Sequence, residues 1–168
     1  MDRTLATILP YVVYKQTKGH MDPVYRIDVE RNFVSLYWDE FPTLAHLREV
    51  VENAIADPKF RQGMNFLWDR KPGKPNDASV EYLREAVYYL QVLAEDIGKH
   101  AWALVAHTAS DFGKGRMLEA MSDQGKVTIR AFQSRGDAEE WLRHPVKFEP
   151  EIVHFPARSP MFLHPRLA

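Results

Sequence analysis

Cysteine is missing altogether from the 168 residues. That excludes disulfides, thiolate nucleophiles and cysteine-held metals, and the expected compartment is the reducing cytoplasm. An excess of either charge is missing too. The chain carries 22 Lys and Arg against 23 Asp and Glu, a formal net charge of −1. No overall field therefore draws it to nucleic acid or to an anionic membrane. No apolar run approaches the roughly 20 residues that cross a bilayer, so no membrane span is expected. The N-terminal MDRTLATILPYVVYK has a short apolar stretch, but Asp2 and Pro10 make it a poor signal sequence.

Catalytic signatures are equally scarce. The letters Asp111-Phe112-Gly113 suggest the metal loop of a protein kinase, but the glycine-rich loop, strand lysine and His-Arg-Asp loop of a kinase are absent. Neither FGKGR nor PGKPND completes a Walker loop. Histidines fall at 20, 46, 100, 107, 144, 154 and 164, with no His-x-His or His-Glu-x-x-His spacing for zinc. No Gly-x-Ser-x-Gly elbow offers a serine nucleophile. His107, at a strand end, is read as a partly buried ring bonded to loop backbone. The carboxylate pairs Asp28/Glu30 and Glu139/Glu140 are read as solvated faces. No metal or other cofactor is expected.

What is present is a core. Hydrophobic residues make up 45% of the chain, and its length suits one domain. YVVYK (11–15) reads as a short strand. VYRIDVERNFVSLYWDE (24–40) alternates apolar and polar residues around Arg31-Asn32, which predicts a β-hairpin. Thr43 then caps a helix with Leu44, Leu47, Val51 and Ala54 on one face, stopped by Asp57-Pro58. Strand 64–69 follows, then a breaker loop and a helix over 79–97 that ends at Gly98. Strand 101–107 leads to a helix over 111–122. Asp111 is its expected cap, Phe112, Gly115, Leu118 and Met121 its inward face, and Gly115 its point of close approach to the sheet. Strand 127–132 and helix 137–143 complete the order. Such alternation predicts an α/β layered fold with a mostly parallel sheet, an N-terminal hairpin near one edge and about four helices. The four tryptophans (38, 68, 102, 141) are read mainly as core, with an aromatic-walled pocket as the other reading.

From Pro145 the character changes, with five of the eleven prolines in the last 24 residues beside Phe148, Ile152, Val153, Phe155, Met161, Phe162 and Leu163. This apolar content predicts an extended arm that packs on its own domain or across a homo-oligomer. The expected layout is an N-terminal segment (1–23), a domain (24–144) and the arm (145–168).

The blocks ADPKFRQGMNFLWDRK, AWALVAHTASDFGKGRMLEAM and VTIRAFQSRGDAEEWL resemble the SpoIIAA-like proteins, bacterial relatives of the STAS domain of anti-sigma-factor antagonists. The resemblance spans roughly residues 24–143. It implies a βα fold shared with the lipid-binding CRAL-TRIO domains and a regulatory or protein-interaction role. Signalling STAS proteins carry a phosphorylated Ser or Thr just after a strand-ending Asp. Here Arg70 and Lys71 follow Asp69, so the phosphoswitch does not transfer.

The leading expectation is thus a non-enzymatic, STAS-like regulatory module with a protein partner. The alternative is a domain binding a small anion or acidic lipid, and an unrecognised enzyme comes third. For the alternative, ligands of open α/β sheets lie beyond the carboxyl ends of the parallel strands. Arg70, Lys71 and Lys74 follow one such strand, and Lys114 and Arg116 lie in the helix after another. Together they form the candidate anion site, near a helix start that favours negative charge.

Overall fold

The structure, a computed structural model, describes residues 16–17, 20–21, 24–38, 42–70, 77–122 and 126–144. The expected strand at 11–15, Lys71, Lys74 and the arm at 145–168 lie outside the described residues. Two short strands, β1 (Gln16–Thr17) and β2 (His20–Met21), pair antiparallel. Then come β3 (Val24–Asp28), β4 (Phe33–Trp38), α1 (Leu44–Ala56), β5 (Asn65–Arg70), α2 (Val80–Ile97), β6 (His100–Val105), α3 (Ala109–Ser122), β7 (Val127–Phe132) and α4 (Arg135–Arg143).

Local chemistry sets the element ends. Asn32 turns the β3–β4 hairpin with φ at 57°, a left-handed conformation that Asn tolerates. Asp28 Oδ1 accepts the Arg31 N–H within that turn at 3.0 Å, so Asp28 braces the hairpin rather than being merely solvated. Thr43 and Ser79 cap α1 and α2 by accepting the backbone N–H groups of His46 and Tyr82. Gly98, at φ 83°, ends α2. α3 departs from expectation. It begins at Ala109, and Thr108 Oγ1 accepts the Asp111 N–H at 3.1 Å. Thr108 is the capping side chain, and Asp111 sits in the first turn with its carboxylate committed elsewhere.

The five-stranded sheet is mixed, in the order β3-β4-β5-β6-β7. β3 pairs antiparallel with β4, and the remaining pairs are parallel. Strands are thus laid down in sequence order in a single direction. Crossovers of one hand, the rule for parallel β-α-β units, then place α1, α2 and α3 on one face. Their apolar stripes share one core with Val34, Leu36, Phe66, Trp102 and Ile129. The period of two along each strand sends Phe33, Leu67, Ala101, Ala103 and Val105 to the other face, where Ala138 and Leu142 of α4 cover them. Asn65 ties that layer together. Its Nδ2 donates to Leu142 O at 3.3 Å, and its Oδ1 accepts the Ala101 N–H at 2.9 Å.

Candidate functional site

Between the sheet and helices α2 and α3, below the carboxyl ends of β5 and β6, lies a cavity of about 60 Å³. Leu47, Leu83, Ala86, Leu90, Leu104, Leu118 and Ile129 make its walls apolar, and Trp68 and Trp102 make them aromatic. Gly115 brings α3 in close: a Cβ built there would stand 2.7 Å from Ala131 Cβ. One water needs on the order of 10–15 Å³, so the space suits a short chain or small ring. Apolar walls offer water little in return for entering.

The polar groups bordering the cavity come from the ends of the same strands and from α3. Arg70 closes β5 with only 5% of its side chain exposed. Its Nη2 donates to both oxygens of Asp111, at 2.7 and 2.8 Å. Lys114, one helical turn on from Asp111, also lines the cavity. Burial pushes the phenol of Tyr82, another lining residue, above its usual range, so it stays a neutral hydroxyl. Arg70, Asp111 and Lys114 thus stand together at this border of the cavity.

Of the expected anion-site residues, the structure therefore gathers Arg70 and Lys114 at one cavity. Arg116 is not among its lining residues. Its side chain is largely exposed and pairs with Glu119 at 2.6 Å. Lys71 and Lys74 follow Arg70 in the chain, outside the described residues.

A second polar group stands at the same end of the sheet on its α4 side. Asp69 precedes Arg70 and points to the opposite face. Its Oδ1 accepts from His107 Nε2 at 3.0 Å, and its Oδ2 accepts from Arg135 Nη1 at 2.8 Å. Arg135 also donates to the Tyr37 hydroxyl and to Glu139, at 2.9 and 2.7 Å. Burial lowers the affinity of Arg135 for its proton, but its bonds to Asp69, Tyr37 and Glu139 together outweigh that and raise its pKa. Two sequence expectations change here. His107 is held by a carboxylate rather than by loop backbone. Glu139 is mostly covered and bound by Arg31 and Arg135 rather than merely solvated.

Sequence reasoning missed the Arg70–Asp111 pair and Tyr82. The signal that could have found the pair was an arginine ending one buried strand and an aspartate just beyond the next. Comparison adds no further residue to either cluster. No family model, curated protein or solved structure matches the chain.

Proposed function

We propose that this chain is a binding module for small amphiphilic acids, its apolar cavity taking the ligand's tail and the Arg70–Lys114 rim its anionic head. The observation that carries this reading is the cavity itself: a mostly apolar space bordered by Arg70 at the end of β5 and by Lys114 in α3, at the end of the sheet where α/β ligands gather. Of the sequence-based expectations this is the alternative, the small-anion or acidic-lipid domain. The STAS-like regulatory role rests on the sequence blocks alone, and ligand binding here would give such a module its input.

Trp68 and Trp102 line the cavity, so their fluorescence reports its occupation. Straight-chain carboxylic acids of four to twelve carbons are titrated while that emission is followed. Each buried methylene contributes about 0.8 kcal/mol, close to fourfold in affinity, until the cavity is full. Affinity should therefore climb with chain length and then level off. Ala86→Leu, which fills space from α2, should shorten the preferred chain while circular dichroism stays unchanged. Absence of saturable binding anywhere in the series would overturn the proposal.

A further inference from the structure

Asp111 places a carboxylate of the chain's own at the border where the ligand's acid group is proposed to sit. Both of its oxygens accept from Arg70 Nη2, at 2.7 and 2.8 Å, and both residues line the cavity. An arginine–carboxylate bond of this kind is what the head of an acidic ligand would itself make. Nη2 carries two N–H groups, and Asp111 already brings it two oxygens. A second carboxylate beside the first would be repelled by it. Ligand head and Asp111 therefore compete for Arg70.

What Asp111 holds in place is the start of α3. The buried residues of this helix are Gly115 and Ser122, so none lies in the first turn, 109–112. Thr108 accepts the N–H groups of Asp111 and Phe112, which shapes that turn without tying it to β5. Gly113 and Gly115 weaken the helix just beyond. The far half is secured differently. Glu119 Oε2 and Ser122 Oγ accept the backbone N–H groups of Ala131 and Ile129 on β7, at 3.4 and 3.2 Å. A helix fixed to the sheet at one end, and by an exchangeable ion pair at the other, opens first at the ion pair.

We infer that the Arg70–Asp111 pair is an autoinhibitory latch: the ligand's carboxylate replaces Asp111 on Arg70, and the first turn of α3 comes away from the sheet. This rests on the amphiphilic-acid reading and adds regulation to it. Arg70 keeps a carboxylate in both states, so its buried charge is never stranded. Asp111 passes to water, and the exposed surface around Ala109, Ser110 and Gly113 is remodelled for a partner to read. A neutral amphiphile filling the same cavity has no group to exchange for Asp111 and leaves the latch shut, since a ligand shifts only those states it binds unequally. The closed latch also weakens acid binding in proportion to the scarcity of the open form.

Hydrogen exchange of the wild type is followed with a straight-chain carboxylic acid, with the primary alcohol of the same length, and with neither. The amides of 112–114, which close the first turn of α3, should exchange about tenfold faster with the acid than with the alcohol, while those of 119–122 do not differ. Asp111→Asn removes the competing charge and keeps the shape. It should raise the affinity for the acid relative to the alcohol by about tenfold, the scale of one charge-assisted hydrogen bond, and abolish the acid's effect on exchange. Should Asp111→Asn fold poorly, the wild-type comparison decides alone. If the acid does not bind the wild type, the amphiphilic-acid reading itself has failed. If it binds and 112–114 exchange no faster than with the alcohol, or a folded Asp111→Asn binds it no tighter, the latch alone is overturned.

Discussion

Helix α3 carries two glycines two positions apart, and the structure assigns them opposite responses to the same substitution. Alanine in place of glycine stabilises a helix interior by about 1 kcal/mol. At Gly113 a Cβ would meet nothing within 4 Å, so Gly113→Ala should realise that gain. At Gly115 the new carbon would lie 2.7 Å from Ala131 Cβ on β7, closer than carbon atoms approach, and α3 must retreat. Overpacking of this kind costs about 1–3 kcal/mol. The two variants should therefore differ in stability by about 1–3 kcal/mol, with Gly113→Ala above the wild type. At about 2–4 °C per kcal/mol for a chain of this size, their melting temperatures should separate by several degrees. Urea denaturation followed by tryptophan emission measures the difference directly. Adding Ala131→Gly to Gly115→Ala removes the opposing carbon, so the double-mutant cycle should show a favourable coupling of about 1 kcal/mol or more. Equal stabilisation at both glycines, with no coupling to Ala131, would refute the claim that α3 is held to the sheet by close approach at Gly115.

Two further outcomes follow from buried polar groups. His100 donates from Nδ1 to Gly98 O at 2.8 Å, and burial lowers its pKa below 6.5 despite that bond. The unfolded chain then binds the extra proton first. Stability should be complete above about pH 6.5 and decline below it, by at most about 1.4 kcal/mol per pH unit, until the lowered folded-state pKa is passed. Urea midpoints between pH 8 and 5 should show this fall in the wild type and a flatter profile in His100→Asn; parallel profiles would contradict it. Asp111→Ala should destabilise by up to about 3–5 kcal/mol by taking away the carboxylate that the buried Arg70 guanidinium bonds twice, whereas Arg70→Met with Asp111→Leu should come close to neutral. Chemical denaturation of both tests this, and a mild Asp111→Ala would mean that Asp111 is not what compensates Arg70.

Local features of the fold were legible in the sequence because their causes are local. Asn32 signals the hairpin turn, Thr43 and Ser79 open helices, Gly98 closes one, and Gly115 marks a close approach. Thr108 was overlooked because Asp111, three residues later, is an equally good capping side chain. Only the placement of α3's first turn decides between them. The candidate site was half legible. That Arg70 closes β5 and that Lys114 lies in the helix after β6 can be read from the order of elements, but the partners of the residues at these strand ends cannot. Arg70 reaches Asp111 across 41 residues, and Asp69 reaches His107 across 38. Both pairings depend on the register between β5 and β6, and a period-two pattern is unchanged by a slip of two residues. The cavity was beyond reach for a related reason: it is the space left over when three helices settle on one face.

The one-directional order of the sheet also has a meaning for how the chain comes together. Phe33 pairs with Asn65, Phe66 with Trp102 and His100 with Val127, so each new parallel pair closes a loop of about thirty residues, at a modest and nearly constant entropic cost. No parallel strand must wait for a later one to be inserted between it and its neighbour, so the sheet can grow from β4 outward as the chain leaves the ribosome. The cavity is different. Its lining runs from Leu47 on α1 to Ile129 on β7, so an otherwise assembled intermediate would still lack one wall. Arrival of β7 against β6 both ends the growth of the sheet and supplies the last wall, so the cavity exists only once the fold is complete.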